Sequence, residues 1–308
     1  MKTRVGVVGV GHLGQHHARL LSGMDDVDLV GIVDIDRDRA QQIASQYHTR
    51  VWDSATSLMP EVDAVVVSSP TVTHVSLALP FVEAGVAVLV EKPIAESLEA
   101  TDRLLSAAKA RGTLVACGHT ERFNPAVDAA APFVREPRFV EIHRLGTFPD
   151  RSLDIDVIFD LMIHDLDLLL NLVGREVTSI EAVGVNVLTP RLDIANVRLR
   201  FDGGCIANLT ASRISRERVR KVRFFQPQAY VSVDFAAQEA EVYRLVMKEG
   251  RPSIEGGRLE VPREEPLLRE LRDFVEAVRN GRPPRVSGQA GRDALELATR
   301  VARAVETQ

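Results

Sequence analysis

The chain has 308 residues, enough for two domains and a sizeable core. Hydrophobic residues make up 45% and charged residues 26%, which excludes a disordered chain. A formal net charge of -5, with no Lys/Arg-rich block, excludes a protein drawn electrostatically to nucleic acid or anionic lipid.

The first 117 residues alternate short β-rich runs with helical patterns. Strands are expected at 4–8, 27–33, 64–68, 86–90 and 113–117, and helices at 12–22, 36–47, 73–84 and 98–111. Several strands are apolar throughout. They are therefore buried on both faces, which requires a parallel sheet covered by helices. The opening MKTRVGVVGVGHLG holds an apolar run too short to span a membrane, and it reads as a first strand rather than a signal peptide. No segment approaches about 18 consecutive apolar residues. Cys117 and Cys205 lie far apart, form neither a disulfide framework nor a zinc site, and suit a reducing compartment. The expectation is a cytoplasmic protein with no membrane or nucleic-acid partner.

Beyond residue 120 the pattern changes. A helix is expected at 125–134, a strand at 139–148 and a strongly apolar helix at 157–173. In 195–202, Ala195, Val197, Leu199 and Phe201 alternate with Asn196, Arg198, Arg200 and Asp202, the period of a half-buried antiparallel strand. Gly203-Gly204 turns the chain into a strand at 205–212, and 219–226 with 229–235 reads as a hairpin. Helices at 266–280 and 289–306 follow. The fold class is α/β: a doubly wound parallel sheet over 1–120, then an α+β domain over 121–308 with an open, mainly antiparallel sheet. One face of that sheet packs on helices, and the other is left to meet a second subunit.

Gly9-Val10-Gly11-His12-Leu13-Gly14 is G-x-G-x-x-G. Such triplets also arise by chance or as plain turns. Here the pattern follows a strand and opens a helix, the setting in which it binds a dinucleotide on a Rossmann fold. Gly9 allows the tight turn, Gly11 lets the backbone approach a pyrophosphate, and Gly14 lets helix and strand lie close, with His12 and Leu13 completing the loop. The helix N-terminus adds free N–H groups and a positive dipole end. Asp34 ends the second strand, 25 residues after Gly9, where an acid binds the ribose hydroxyls. A carboxylate there disfavours a 2′-phosphate, so NAD is expected over NADP. Arg37 and Arg39 soften that preference, and Asp34 also suits a helix cap. His12 and His16 have a metal-compatible spacing but no evident third ligand, so no metal is expected.

Glu91-Lys92-Pro93 follows an apolar strand, and ligands in open parallel sheets bind beyond the carboxyl ends of the strands. Lys92, one of five lysines, is either placed near a nicotinamide or is a solvated loop residue. The helix at 157–173 carries Asp160 and His164, four apart and on one face, among Ile158, Phe159, Leu161, Met162, Ile163, Leu166, Leu168 and Leu169. Polar groups on so apolar a helix need partners. The pair is either a buried His satisfied by Asp160 or, with Lys92, a proton-handling group, a duty that histidine suits near neutral pH.

The motifs GVGHLG, Asp34, SSPTVTH at 68–74, EKP at 91–93, GHTERFNPA at 118–126 and DLMIHDLDLL at 160–169 occur in that order. In this ordered set, and in EPLLRELRDFVEAVRNGRPP at 265–284, the chain resembles the Gfo/Idh/MocA family of glucose–fructose oxidoreductases and inositol dehydrogenases over nearly its whole length. The resemblance implies an NAD-dependent oxidoreductase acting on a sugar or polyol. It implies Lys92 orienting the substrate hydroxyl, His164 as general base and Asp160 as its partner. It also implies Ser69, Pro70, His74 and Glu91 lining the nicotinamide side of the cofactor cleft, and a homodimer or homotetramer formed through the second sheet. Glu121-Arg122-Phe123-Asn124-Pro125 is similar to the segment in UDP-sugar 3-dehydrogenases, including those that oxidise UDP-N-acetylglucosamine at C3 before amination, in lipid A biosynthesis. Arg122 and Asn124 are then the expected contacts to the substrate. The alternatives are a dehydrogenase of a free sugar, inositol or another polyol, or a non-catalytic NAD-binding regulator. Retention of Lys92, Asp160 and His164 argues against the regulator.

Overall fold

The computed structural model describes residues 2–148 and 155–306. The chain divides after Thr120 into two units, and the segment Leu267–Asp293 belongs to the first.

The first unit runs β1 (Thr3–Val8), α1 (Gly14–Ser22), β2 (Val27–Val33), α2 (Arg37–Gln46), α3 (Ala55–Leu58), β3 (Ala64–Val67), α4 (His74–Glu83), β4 (Ala87–Glu91), α5 (Leu98–Arg111) and β5 (Val115–Gly118). The five strands are all parallel, in the order β2-β1-β3-β4-β5. The chain runs outward from β1 to β2, then returns across β1 to β3. The crevice beyond the carboxyl ends of β1 and β3 is thus a topological switch point, where open α/β sheets bind ligands. The central strands are buried because both faces carry helices: every residue of β3 and β4 is inaccessible. Local chemistry sets the helix ends. The Ser97 side chain accepts from the Ala100 amide to start α5, and Gly112, at φ +67°, ends it in the left-handed conformation.

The second unit contains α6 (Pro125–Ala130), β6 (Phe139–Leu145), a π-helical turn at Ile158–Met162 and α7 (Ile163–Val173). It continues through β7 (Val177–Val185), β8 (Ile194–Phe201), β9 (Ile206–Ser212), β10 (Val219–Gln226), β11 (Ala229–Asp234), β12 (Glu239–Lys248) and β13 (Arg251–Arg258). Its sheet has the order β13-β12-β11-β10-β6-β9-β8-β7, antiparallel throughout except for the β6–β9 pair. The inner face, with Val140, Ile142, Val197, Leu199, Leu209, Val222 and Phe224, forms one core with Met162, Ile163, Leu166 and Leu169. On strands β6, β10, β11 and β12, Phe139, Phe225, Tyr230 and Tyr243 form a row with ring centroids 5.6, 5.3 and 6.3 Å apart. Phe225 and Tyr243 are exposed.

Two further helices are α8 (Pro266–Asn280) and α9 (Gly288–Glu306). The sequence assigns 121–308 to one unit, but α8 places Leu271, Phe274 and Val275 in the core of the first unit with Val5, Ile32 and Leu89, and the division falls within α9. An apolar stripe shows that a helix packs, but not on which sheet. The helix expected at 125–134 is α only to Ala130, because Pro132 has no N–H to continue it and a 3₁₀ turn follows. Among the described residues, no helix is long and apolar enough to cross a membrane.

Candidate active site

At the switch point, Gly9 takes φ +87° and donates its N–H to the Val33 carbonyl at 2.8 Å. A Cβ on Gly14 would sit 1.8 Å from the Gly9 oxygen, whereas a Cβ on Gly11 would meet no protein atom within 4 Å. Gly14 therefore serves the close approach of α1 to β1, and Gly11 keeps open the space in front of the loop. A pyrophosphate facing the N-terminus of α1 fits that cradle. His12 and His16 stack edge to face with centroids 5.7 Å apart.

Asp34 follows β2 with its side chain almost wholly buried. It accepts hydrogen bonds from the Val10 amide (2.7 Å), the Asp36 amide (2.8 Å) and Arg39 Nη2 (2.7 Å). Burial alone would raise its pKa, but Arg39 and the two amides hold it below the usual carboxylate range. Three of about four lone-pair positions are used, which leaves one for a ribose hydroxyl. Asp36, not Asp34, caps α2. Arg37 turns away to Asp53 at 2.9 Å.

The exposed large apolar side chains of this unit, among the described residues, are Leu13 (38%), Ile35 (102%) and Val72 (70%). All three stand on the loops after β1, β2 and β3, where an adenine ring would find apolar walls. The sequence reading missed Ile35 and Val72. An isoleucine directly after the strand-ending Asp34 was the available signal.

Ser69 and Pro70 follow β3, His74 opens α4, Glu91 ends β4 and Lys92 follows it. Pro70 is exposed, and Ser69 and Lys92 are half-buried. His74 and Glu91 are buried. The His74 ring is buried between the Ser69 oxygen (Nε2, 2.8 Å) and the Pro93 oxygen (Nδ1, 2.9 Å), tying the two loops together. Burial pulls its pKa below the ordinary imidazole value, although both carbonyls work the other way. Glu91 is also buried, with Oε1 2.7 Å from His17 Nε2 and Oε2 accepting the Lys92 amide at 3.2 Å.

In the second unit, Asp160 lies in the π-helical turn and His164 in the first turn of α7. The expected regular helix therefore opens with a wider turn, a feature common at functional sites. Asp160 and His164 are half-buried, while Met162, Ile163, Asp165 and Leu166 around them are inaccessible. The start of this helix is tied down. Arg213 donates to the Ile155 oxygen at 2.7 Å and pairs with buried Asp193 at 2.8 Å, and Asp156 accepts the Leu192 amide at 2.8 Å.

The sequence reading also missed a buried ion cluster. Arg144 forks onto both oxygens of Asp165 at 2.8 Å and reaches Glu121 at 3.0 Å. Burial opposes its charge, but the two carboxylates outweigh burial and hold its pKa above the usual value. The signal was Arg144 at an inward position of a strand whose other inward residues are Val140 and Ile142. Of the two expected substrate contacts, Asn124 is buried and committed to the fold. It caps α6 through the Ala126 amide (3.1 Å) and donates to the Phe235 oxygen (3.1 Å). Arg122 is nearly buried, with Asp167 at 3.9 Å. Arg220, exposed and directly across the ladder from Arg144, presents a cation on the same sheet face.

A model of an oxidoreductase family with an NAD-binding Rossmann fold matches residues 3–119, and a model of the GFO/IDH/MocA C-terminal domain matches residues 134–232. The chain is 39% identical to a UDP-N-acetylglucosamine 3-dehydrogenase of Acidithiobacillus ferrooxidans, over 98% of its own length and 97% of the relative's. It is 28% identical to a myo-inositol 2-dehydrogenase of Thermotoga maritima, over 98% of this chain and 96% of that one. A solved structure of the Acidithiobacillus ferrooxidans enzyme superposes with a TM-score of 0.93 at 38% identity, covering 100% of this chain and 99% of that one.

Proposed function

Because the chain belongs to the Gfo/Idh/MocA family of NAD-binding Rossmann oxidoreductases, we propose that it oxidises the C3 hydroxyl of UDP-N-acetylglucosamine to the 3-keto sugar. The observation that carries this reading is the 39% identity, over nearly the full length of both chains, to an enzyme of that name. The inositol dehydrogenase similarity, at 28%, supports oxidation of a free polyol as the second reading. A cytoplasmic setting goes with either, and Cys117 and Cys205 are both free thiols.

Bound NAD supplies the hydride acceptor. His164 takes the hydroxyl proton as the alcohol carbon loses its hydride, and Asp160 orients the imidazole and favours its charged form. Lys92 donates a hydrogen bond to the hydroxyl oxygen and steadies the negative charge that develops there. Arg220, an exposed cation across the ladder from Arg144, contacts the diphosphate of the substrate. The outer aromatic row is the surface through which copies of the chain associate.

The test is NADH formation with NAD+ and UDP-N-acetylglucosamine, with and without 2-oxoglutarate, beside NADP+, free N-acetylglucosamine and myo-inositol. Turnover should require both NAD+ and the UDP group, and product NMR should locate the ketone at C3. Lys92→Ala and His164→Ala should lose turnover while keeping NAD binding, and Arg220→Gln should raise KM for the nucleotide sugar only. Turnover of inositol alone would select the second reading. Near-wild-type rates in both alanine variants would defeat the mechanism.

A further inference from the structure

Glu91 ends the inner strand β4 as a buried carboxylate, one residue before Lys92. It is held from three sides. Oε2 accepts the Lys92 amide at 3.2 Å, and Oε1 lies 2.7 Å from Nε2 of His17 on α1. On the third side is Gly118 at the end of β5, where any Cβ would come within 2.9 Å of Oε2. The His17 ring is fully buried, and its Nδ1 has no hydrogen-bond partner among the described residues. The imidazole therefore spends its one polar contact on Glu91. An ionised carboxylate only accepts, so the proton of that contact sits on Nε2.

His17 lies one turn from Gly14, on the helix whose N-terminus faces the pyrophosphate site. Its partner Glu91 accepts a hydrogen bond from the amide of Lys92, the residue proposed to hold the substrate hydroxyl. We propose that His17 is a positioning residue that acts through Glu91: it locks the carboxylate that fixes the Lys92 backbone, and so ties the placement of the lysine to the dinucleotide-binding helix. This role rests on the dehydrogenase reading given above for its rate consequences, but not for the lock itself. The groups that face Glu91 are His17 from α1, Lys92 beyond β4 and His74 from α4. Burial would push the Glu91 pKa up, but the His17 hydrogen bond and charge, then the charge and amide of Lys92, bring it below the ordinary range. Without His17, the carboxyl protonates at higher pH and the Lys92 amide loses its charged acceptor.

The experiment compares full-length wild type with His17→Leu, His17→Gln and Gly118→Ala. The Gly118 variant displaces the carboxylate from the opposite side without touching the histidine. Three quantities are read: NAD+ affinity by calorimetry, kcat and KM across pH, and the Glu91 carboxyl titration by 13C NMR. Loss of one hydrogen bond to a charged group predicts a kcat about 10–100-fold lower in His17→Leu and Gly118→Ala, with NAD+ affinity and sugar KM within about threefold of wild type. The acid limb of the kcat profile should move to higher pH together with the Glu91 titration. Gln, whose side-chain N–H can replace Nε2–H, should restore most of the rate. An unchanged Glu91 titration in both His17→Leu and Gly118→Ala would overturn the lock, as would kcat and NAD+ affinity falling in step with no movement of the pH profile. If wild type turns over none of the sugars, the dehydrogenase reading fails while the titration still decides the lock.

Discussion

Gly11 and Gly14 belong to one motif, yet the structure gives them different burdens that alanine substitution separates. A Cβ on Gly14 would lie 1.8 Å from the Gly9 oxygen and 2.6 Å from Ser68 Oγ, where ordinary contact begins at 3.4 Å. The obstacle is backbone, so α1 itself must move away from the end of β1. Overpacking of this kind costs about 1–3 kcal/mol, and the severity here puts Gly14→Ala at the upper end. At about 2–4 °C per kcal/mol for a domain of this size, the melting temperature should fall by roughly 5–10 °C, and NAD binding should go with it. A Cβ on Gly11 touches nothing, and the residue is not at positive φ. Gly11→Ala should leave the melting temperature unchanged or slightly raised, since alanine narrows the unfolded ensemble by about 0.4–1 kcal/mol. The new methyl would instead occupy the space for the pyrophosphate. Loss of one charge-assisted hydrogen bond, about 1.5–3 kcal/mol, predicts NAD affinity roughly 10–100-fold weaker. Differential scanning fluorimetry and isothermal titration calorimetry on the two variants read both quantities. A Gly11→Ala protein that binds NAD like wild type would refute the assignment of that space to the cofactor, and an unshifted melting temperature in Gly14→Ala would refute the packing argument.

Two further outcomes follow from the same geometry. Asp34→Ser removes the carboxylate that repels a 2′-phosphate and releases Arg39 Nη2, which it holds at 2.7 Å, leaving Arg39 with Asp36 at 3.3 Å; NAD affinity should fall about tenfold while NADP affinity rises. Unchanged NAD:NADP discrimination, by calorimetry, would count against Asp34 as the ribose ligand. Phe225→Glu combined with Tyr243→Glu places two charges in the exposed aromatic row of the second sheet and should convert the proposed dimer or tetramer to single chains in sedimentation equilibrium. A mass indifferent to both charges would count against association through this row.

Most of the first unit was legible because its signals are local. β3 reads AVVV and is buried at every position, and the Ser97 and Gly112 caps fix both ends of α5 where the sequence puts them. The fold class and the parallel pairing follow from such runs. In the second sheet β6, β8, β9, β10 and β11 were read from the sequence, and β7, β12 and β13 were not. β7 contains a register shift between Val177 and Ser179 that breaks the period of two. β13 buries no residue and contains Gly256 and Gly257, so it is a strand by pairing with β12 rather than by hydrophobicity. At the candidate site, the sequence singled out Gly11, Asp34, Lys92 and His164, because motif spacing and the family resemblance mark them. It did not find His17, Arg144 or Asp165. These act through partners 74 and 21 positions away, and pairing at that distance leaves no periodic trace.

The missed residues share one arrangement. Glu91, held by His17, directly precedes Lys92. Asp165, held by Arg144, directly follows His164. The Asp193–Arg213 pair grips Ile155, just before the turn that carries Asp160. Buried ion pairs add little net stability, because desolvating both charges offsets their attraction, and apolar side chains of the same volume often serve a core equally well. Stability is therefore a poor reason for three such pairs to stand beside the three residues given chemical roles. Direction is a better one. A guanidinium that forks onto both oxygens of Asp165 fixes the plane of that carboxylate, and with it the rotation of α7 about its own axis. An apolar contact at the same place would tolerate a slide or a turn of several degrees at little cost. His164 sits one residue earlier on the same helix, so a pair that never needs to touch the substrate steadies the backbone from which its side chain leaves.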